Sequence, residues 1–324
     1  MDRRQMLQEA SDFILQNDDF LLITHVQPDG DALGSTLGFA HLLQALGKRY
    51  AIAVEEPIPA KFRFLPMSDR IQLASQISRR FSKIVALDCG DIKRFGRCAE
   101  FLEPQADILN IDHHKTNDCF GRANLVDLEA AATSQIVFNL ASFMGTEIGR
   151  DMSVCLYTGI LTDTGGFRYG NTTVEVHTIA AELLRNGVSP YDVADRVLET
   201  LTWSQLQLIR EGLKSLQKDE LGKVAWMVVE RDLLDRLGAG DEDAEGLVSY
   251  ARNVQGVEVG ILFREKADGT VKASLRSKYH VDVGEIALSL GGGGHARAAG
   301  CTLAGPVDKA VAEVLLKVRE SLPS

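Results

Sequence analysis

Phe20-Leu-Leu-Ile-Thr-His25-Val-Gln-Pro-Asp29-Gly-Asp31 is a short apolar run that ends in polar residues. Residues 32–46 follow it with helix-like spacing at Leu33, Leu37, Ala40 and Leu43 before Gly47. Apolar positions three and four apart line one helix face, so the stretch reads as strand, loop, helix. Further apolar runs at 50–54, 83–87 and 107–111 alternate with helix candidates. Such alternation is the pattern of a parallel sheet covered on both faces, since parallel strands need crossovers and the crossovers bury them. Asp29 and Asp31, Asp88 and Asp112 then fall just past the carboxyl ends of strands, the edge where open α/β sheets bind ligands.

Helices are expected over 133–144, 152–161 and 174–186, the last stopped by Gly187 and followed by Ser189-Pro190. From 190 to 219 the pattern stays helical and amphipathic, with Val193, Val197, Leu206, Ile209, Leu213 and Leu216. Beyond it, strands are expected at 224–229, 257–263 and 271–275, the last two joined through Ala267-Asp268-Gly269 as a hairpin. Helices at 243–253, 283–290 and 307–322 complete that part of the chain. The fold class that follows is α/β: an N-terminal doubly wound, mostly parallel sheet over 1–186, a helical linker over 187–221, and a smaller α+β C-terminal domain over 222–324.

A chain of 324 residues, 45% of them hydrophobic, can bury a sizeable core, and its length favours two domains. The first 16 residues mix Arg3, Arg4, Glu9 and Asp12 into their apolar positions, which excludes a signal-peptide core, and no run reaches the length of a membrane span. A cytoplasmic address is the expectation. Five cysteines with no C-x-x-C pair argue against a disulfide framework or a zinc knot. The net charge of −10 disfavours a binder of long duplex nucleic acid. Through Ser204 there are 19 basic against 27 acidic residues, so the acidic excess lies with the candidate metal ligands. Two divalent cations would cancel about half of it.

Each acidic or histidine-bearing segment has an ordinary structural reading. Pro28-Asp29-Gly30-Asp31 is good turn chemistry, Asp88 in Ile84-Val-Ala-Leu-Asp88-Cys-Gly-Asp91 can cap a helix, and Asp163 can end one. Asp112-His113-His114 is the most specific element, because an acidic residue and two imidazoles at a strand end are hard to motivate by packing. Taken jointly, these segments supply the oxygen and nitrogen donors of a metal centre. Such clusters hold two divalent ions roughly 3.5 to 4 Å apart and drive phosphoester hydrolysis. The run Gly291 to Gly294 reads as a flexible loop or, with His295 and Ser274-Leu-Arg276-Ser277-Lys278, as phosphate recognition by backbone N–H groups, a bidentate Arg and an imidazole. Lys278 and Arg297 fit solvated charges equally well, and Arg94 and Arg168 fit either an ion pair or a phosphate contact. Phe167, Tyr169 and Tyr279 read as core or rim packing ahead of base stacking.

The order H-x-x-x-D-x-D, D, D-H-H, D, closed by Gly291-Gly-Gly-Gly-His295-Ala-Arg297-Ala-Ala-Gly300, resembles the DHH phosphoesterase superfamily with its DHH-associated C-terminal domain, over nearly the whole chain. The compact two-domain length is similar to the nanoRNase and pAp-phosphatase branch, which trims very short RNAs and dephosphorylates adenosine 3',5'-bisphosphate (pAp). By that resemblance one manganese ion is held by His25, Asp29 and Asp88, and the second by Asp31, Asp88, His113 and Asp163, with Asp88 as the bridge. Asp112 orients a ligand histidine, His114 lies toward the attacked phosphate, and Arg276, Ser277, Gly293, Gly294 and His295 contact substrate. The implied partners are short single-stranded RNA or dinucleotides and pAp, with no membrane and no long duplex; a homodimer stays open. Hydrolysis of cyclic-di-AMP or of linear dinucleotides is the alternative reading, and a nucleotide sensor without catalysis is disfavoured by the intact ligand set.

Overall fold

The computed structural model describes residues 2–240, 242–244 and 246–322. It divides into two compact units, Met1–Thr200 and Leu201–Ser324.

The first unit runs α1 (Arg3–Gln16), β1 (Phe20–Ile23), α2 (Gly30–Ala45), β2 (Tyr50–Val54), β3 (Ile71–Leu73), β4 (Phe81–Leu87), β5 (Leu102–Asp112), β6 (Ala123–Val126), α3 (Thr133–Phe143), α4 (Arg150–Asp163), α5 (Val174–Arg185) and α6 (Pro190–Ala194). Its six strands are all parallel, in the order β3-β2-β1-β4-β5-β6. Side chains alternate between faces along each strand, which sorts the apolar residues into two layers. Phe20, Leu22, Val85, Leu87, Leu109 and Ile111 join a core with α1 to α6. Leu21, Ile23, Ala53, Ile84, Ala86 and Ile108 form the opposite layer, closed by the 3-10 segments Ala74–Gln76 and Ile92–Phe101. Burial on both faces explains why β1 and the end of β4 read as unbroken apolar runs. The chain leaves β1 toward β2 on one side and returns as β4 on the other, so the strand order reverses at β1. That reversal opens a crevice at the carboxyl ends of β1 and β4.

α2 crosses α4 with almost no side chain between them. A methyl on Gly34 would lie 2.6 Å from the Cys155 carbonyl oxygen, and one on Gly30 or Gly38 would overlap Thr162 or Leu156. Backbone-to-backbone approach of this kind fixes the spacing of the two helices, and with it the spacing of Asp31 from Asp163.

The second unit contains α7 (Trp203–Lys214), β7 (Gln217–Lys218), β8 (Val224–Val229), α8 (Arg231–Leu237), α9 (Leu247–Asn253), β9 (Val259–Glu265), β10 (Thr270–Ser277), α10 (Val283–Ser289), β11 (Gly293–His295), β12 (Ala298–Ala304) and α11 (Val307–Glu320). Its sheet has the order β11-β12-β10-β9-β8-β7, antiparallel except for β8 beside β9. The α+β expectation holds, with three local corrections. The helical pattern over 190–219 is not one helix: residues 200–202 interrupt it, because Thr202 and Gln205 form a reciprocal cap that starts α7 afresh, and the stretch ends as strand β7. The helix expected over 243–253 begins only at Leu247, since Gly246 takes a left-handed conformation at φ 86°; Glu245 in that range lies outside the described residues. The glycine run ends as strand β11 rather than staying a free loop, for methyls on Gly292 and Gly294 would strike β12.

Candidate metal centre

The crevice at β1 and β4 is where the sequence motifs converge. Asp29 caps α2, its Oδ1 accepting from the N–H groups of Asp31 and Ala32 at 3.0 Å each. Asp31, one residue into the helix, is fully buried and points across to the start of α3, where its oxygens accept from the N–H groups of Thr133 (2.6 Å) and Ser134 (2.9 Å). These are unpaired donors at a helix N-terminus, an environment that favours an anion. Asp88 follows β4 in a left-handed conformation (φ 59°), tied back by its N–H to the Ile111 carbonyl. Its Oδ1 accepts from Thr133 Oγ1 at 2.9 Å.

Three imidazoles face this buried carboxylate. His25 Nε2 lies 3.6 Å from Asp88 Oδ2 and 4.0 Å from Asp29 Oδ1, while its Nδ1 meets the Val26 carbonyl at 2.8 Å. His113 Nε2 lies 3.5 Å from Asp88 Oδ1, 3.3 Å from Asp163 Oδ2 and 4.0 Å from Asp31 Oδ2. His114 Nδ1 is 3.6 Å from Asp88 and hydrogen-bonded to Asp112 Oδ1 at 2.7 Å. Asp112 therefore orients His114, and the other ring nitrogen of His113 is set by the Ala130 carbonyl at 3.3 Å instead.

The charges explain what this cluster accommodates. Burial, together with the Asp88 charge, pushes the Asp31 carboxyl up to about 7. Burial and the charges of Asp31, Asp29 and Asp88 raise Asp163 well above the ordinary range. For Asp88 burial acts the same way, but the His25 hydrogen bond and the charges of His114 and His113 outweigh it and hold the group below the usual carboxylate range. Burial also works against a charged His114; the Asp112 hydrogen bond and the charges of Asp88 and Asp112 prevail and carry it to about 9. Arg94, whose carbonyl accepts from Val26 N–H, opposes the upward shifts of His25 and His114 with its own charge. Burial keeps the Cys89 thiol protonated.

Crowded carboxylates forced toward their neutral forms are relieved by divalent cations, and the mixed oxygen and imidazole donors suit first-row ions. Of the first-unit sets that meet the distance condition, two are His25 with Asp29 and Asp88, and Asp31 with His113 and Asp163, each set's donor atoms lying within 4.8 Å of one another. Asp88 Oδ2 faces the first and Oδ1 the second. A third such set, Asp88, Asp112 and His114, is occupied by its own hydrogen bond.

In the second unit the strand register brings His295 and Arg276 together. His295 pairs with Ala298, which pairs with Arg276, so all three side chains stand on one sheet face. Gly293, Gly300 and Ser274 form the next row of that face. Ser277 is not there: adjacent to Arg276 on the strand, it points the other way, is buried, and donates to the Ala296 carbonyl at 3.2 Å. Arg297 is committed to the carbonyls of Val281 and Tyr279, and Lys278 to that of Val254.

A family model described as the DHH family, N-terminal domain, matches residues 19–160, and one described as the DHHA1 domain matches residues 222–322. The chain belongs to the DHH family. Among curated relatives of this DHH chain, the Thermus thermophilus bifunctional oligoribonuclease and PAP phosphatase NrnA is 40% identical over 93% of the chain and 89% of that protein. The Bacillus subtilis protein of the same name is 27% identical over 88% and 90%. The crystal structure of an exopolyphosphatase-related protein from Bacteroides fragilis is similar with a TM-score of 0.90 and 27% identity, over 98% of the DHH chain and 96% of that one. Among the described residues no helix is long and apolar enough to cross a membrane.

Sequence reasoning missed Thr133 and Asn117. Thr133 holds two of the acidic residues at once, Asp31 by its N–H and Asp88 by its hydroxyl. Its only sequence signal is a hydroxyl residue at the start of a helix, which reads as an ordinary cap.

The pKa pattern makes a direct prediction for metal-free DHH protein. Asp31, Asp163, His25 and His114 all bind a proton more tightly folded than unfolded, so the stability they contribute is complete below the unfolded values and drains as pH rises through the folded ones. Asp88 shifts the opposite way, and its contribution is lost only as pH falls below its ordinary 3.8. From about pH 4 to about pH 9, chelated protein should therefore lose thermal stability as pH rises, and excess divalent cation should cancel the loss by binding the deprotonated donors. Thermal unfolding at pH 5 and pH 8, with chelator and with manganese, measures this. A chelated protein more stable at pH 8 contradicts it.

Proposed function

We propose that this DHH phosphoesterase hydrolyses phosphoesters in short RNA oligonucleotides and in pAp, using two manganese ions. The observation that carries the reading is the pair of donor sets meeting at Asp88, with a third histidine held beside them by Asp112. His25, Asp29 and Asp88 would hold one ion and Asp31, Asp88, His113 and Asp163 the other. Ions bound there supply Lewis acidity toward phosphoryl oxygens and a water nucleophile at neutral pH. Thr133 and Ser134 keep Asp31 aimed and ionisable, since its oxygens take their N–H groups. His114 keeps Nδ1–H on Asp112, which leaves Nε2 as the ring atom that can donate to a phosphoryl or leaving oxygen. Its protonated form is the one that suits this task.

On the second unit, Arg276 and His295 share a face floored by Gly293, Ala298 and Gly300, where an anionic nucleotide group can lie flat against small residues. Gly294 belongs to the same strand, although the contact a methyl there would make with β12 already explains its identity. Names of the NrnA relatives agree with a dual activity on oligoribonucleotides and pAp. A cytoplasmic address belongs to the same reading.

The test is a panel of two- to five-nucleotide RNAs, pAp and cyclic di-AMP, with manganese, the products resolved by chromatography. Short RNAs and pAp should turn over fastest; preference for cyclic di-AMP would move the assignment to a cyclic-dinucleotide phosphodiesterase, and no turnover at all to a sensor. Arg276→Ala should remove a charge-assisted contact of about 1.5 to 3 kcal/mol, roughly ten- to hundred-fold in kcat/KM on a dinucleotide. Bis-p-nitrophenyl phosphate offers Arg276 no nucleotide and should be hydrolysed as by wild type. Equal loss on both substrates would assign Arg276 to the fold or the chemistry.

A further inference from the structure

The loop after the two histidines contains a side chain placed to govern one of them. Asn117 closes that loop with its backbone N–H on the His114 carbonyl at 3.1 Å. Its carboxamide nitrogen lies 2.5 Å from Asp112 Oδ2, 2.8 Å from Asn110 Oδ1 and 3.2 Å from the Cys89 carbonyl. The carboxamide oxygen accepts from Cys119 N–H at 2.7 Å, and Asn110 spans the gap by donating to the Cys89 carbonyl at 3.1 Å. A carboxamide has two N–H donors, so the two shorter contacts use both. The Asp112 carboxylate is thereby divided, one oxygen on Asn117 and the other on His114 Nδ1 at 2.7 Å.

Asp112 is wholly buried and sits at the end of β5, where its own backbone continues the sheet. A buried carboxylate satisfied on one oxygen alone can rotate about its last bond, and the imidazole bonded to it would swing with it. Asn117 removes that freedom, being anchored at both ends of its amide.

We infer that Asn117 is a positioning residue for the hydrolytic step, acting through Asp112 to fix the orientation and tautomer of His114. The inference rests on the role given to His114 above. Asn117 touches none of the residues of the two donor sets through its side chain among the contacts described, so its effect should fall on turnover and leave ion binding alone.

The experiment pairs Asn117→Ala with Asn117→Asp, which keeps the shape and loses the N–H donors. Each is measured on bis-p-nitrophenyl phosphate with manganese, by metal titration, and in a double-mutant cycle with His114→Ala. Either variant should lower kcat about ten- to a hundred-fold, as for partners one step removed from a reacting group, with KM and metal affinity unchanged. In the His114→Ala background the same substitutions should cost nothing further. An undiminished loss in that background, or a fall in metal affinity matching the fall in kcat, overturns the inference. Should Asn117→Asp not fold, the alanine variant carries the same comparison. Nitrogen-15 NMR of the metal-free protein supplies a readout independent of activity: the His114 Nδ1 signal should shift in the Asn117 variants while the His25 signal stays. If wild type hydrolyses no ester, the functional reading fails, and an unmoved His114 signal is then what defeats the role of Asn117.

Discussion

Asp88→Asn should fold and bind substrate yet lose nearly all turnover, about a thousand-fold or more, beyond the roughly ten- to hundred-fold typical of residues that only support a metal ligand. Among the described residues Asp88 is the carboxylate within 3.6 Å of all three imidazoles, one oxygen facing His25 and the other His113 and His114. Replacing it changes the affinity of both donor sets and the separation between them. Asparagine is the appropriate substitute because residue 88 is left-handed at φ 59°, a conformation that asparagine tolerates and alanine adopts at a cost of about 1 kcal/mol or more. Asparagine can also still accept from Thr133 Oγ1, so the variant isolates the charge. The charges that raise His25 and His114 include that of Asp88, and both histidines should titrate lower in the variant. Kinetics with manganese and histidine NMR on one preparation check both halves. Activity within tenfold of wild type would remove the two-ion reading.

Gly159→Ala should damage the metal centre and the fold of the first unit together. The added Cβ would overlap Ser134 Oγ and lie 2.6 Å from Asp31 Oδ1 and 2.8 Å from Ser134 Cβ. Both neighbours, Ser134 and Asp31, are fully buried, and Asp31 is held by the N–H groups of Thr133 and Ser134, so neither side chain can move without disturbing the start of α3. Overpacking of this kind costs about 1 to 3 kcal/mol, which lowers Tm by roughly 2 to 4 °C per kcal/mol in a unit of this size. Because the displaced group is Asp31, metal affinity should fall together with Tm. Gly170→Ala is the control, with nothing within 4 Å of its added methyl, and should leave both unchanged. A Gly159→Ala protein with normal Tm and metal affinity would show that α2 and α4 are not as tightly spaced as described.

The strand, loop and helix from Phe20 to Ala45 were legible because β1 is buried on both faces and Asp29 is a strong cap, two signals that do not depend on distant residues. Asp88, His113 and Asp163 were legible for a related reason, since each lies at or just beyond the end of an apolar element and carries a side chain that packing does not ask for. What could not be read depends on contacts across the chain. β12 is Ala298-Ala-Gly-Cys-Thr-Leu-Ala304, small residues of low strand propensity, and it is a strand because β10 and β11 pair with it. Ser277 looked like a partner of Arg276 until the register placed the two on opposite faces. Asn117 resembles any polar loop residue until Asp112 and Asn110 are seen at its amide. The helical run through 190–219 failed for the opposite reason: amphipathic periodicity continues smoothly across Thr202, and only a local cap marks the break.

The donors of the two sets are drawn from well-separated parts of the chain, from His25 just after β1 to Asp163 at the end of α4. A ribosome delivers them in order. His25, Asp29 and Asp88 have all been made before β5 begins, so the first set is chemically complete early. The second waits for residue 163, and Asp31 has no amide donors until Thr133 and Ser134 arrive. A nascent chain halted after β6 would therefore hold one cation nest and two of the three donors of another, its buried Asp31 still lacking the helix that receives it.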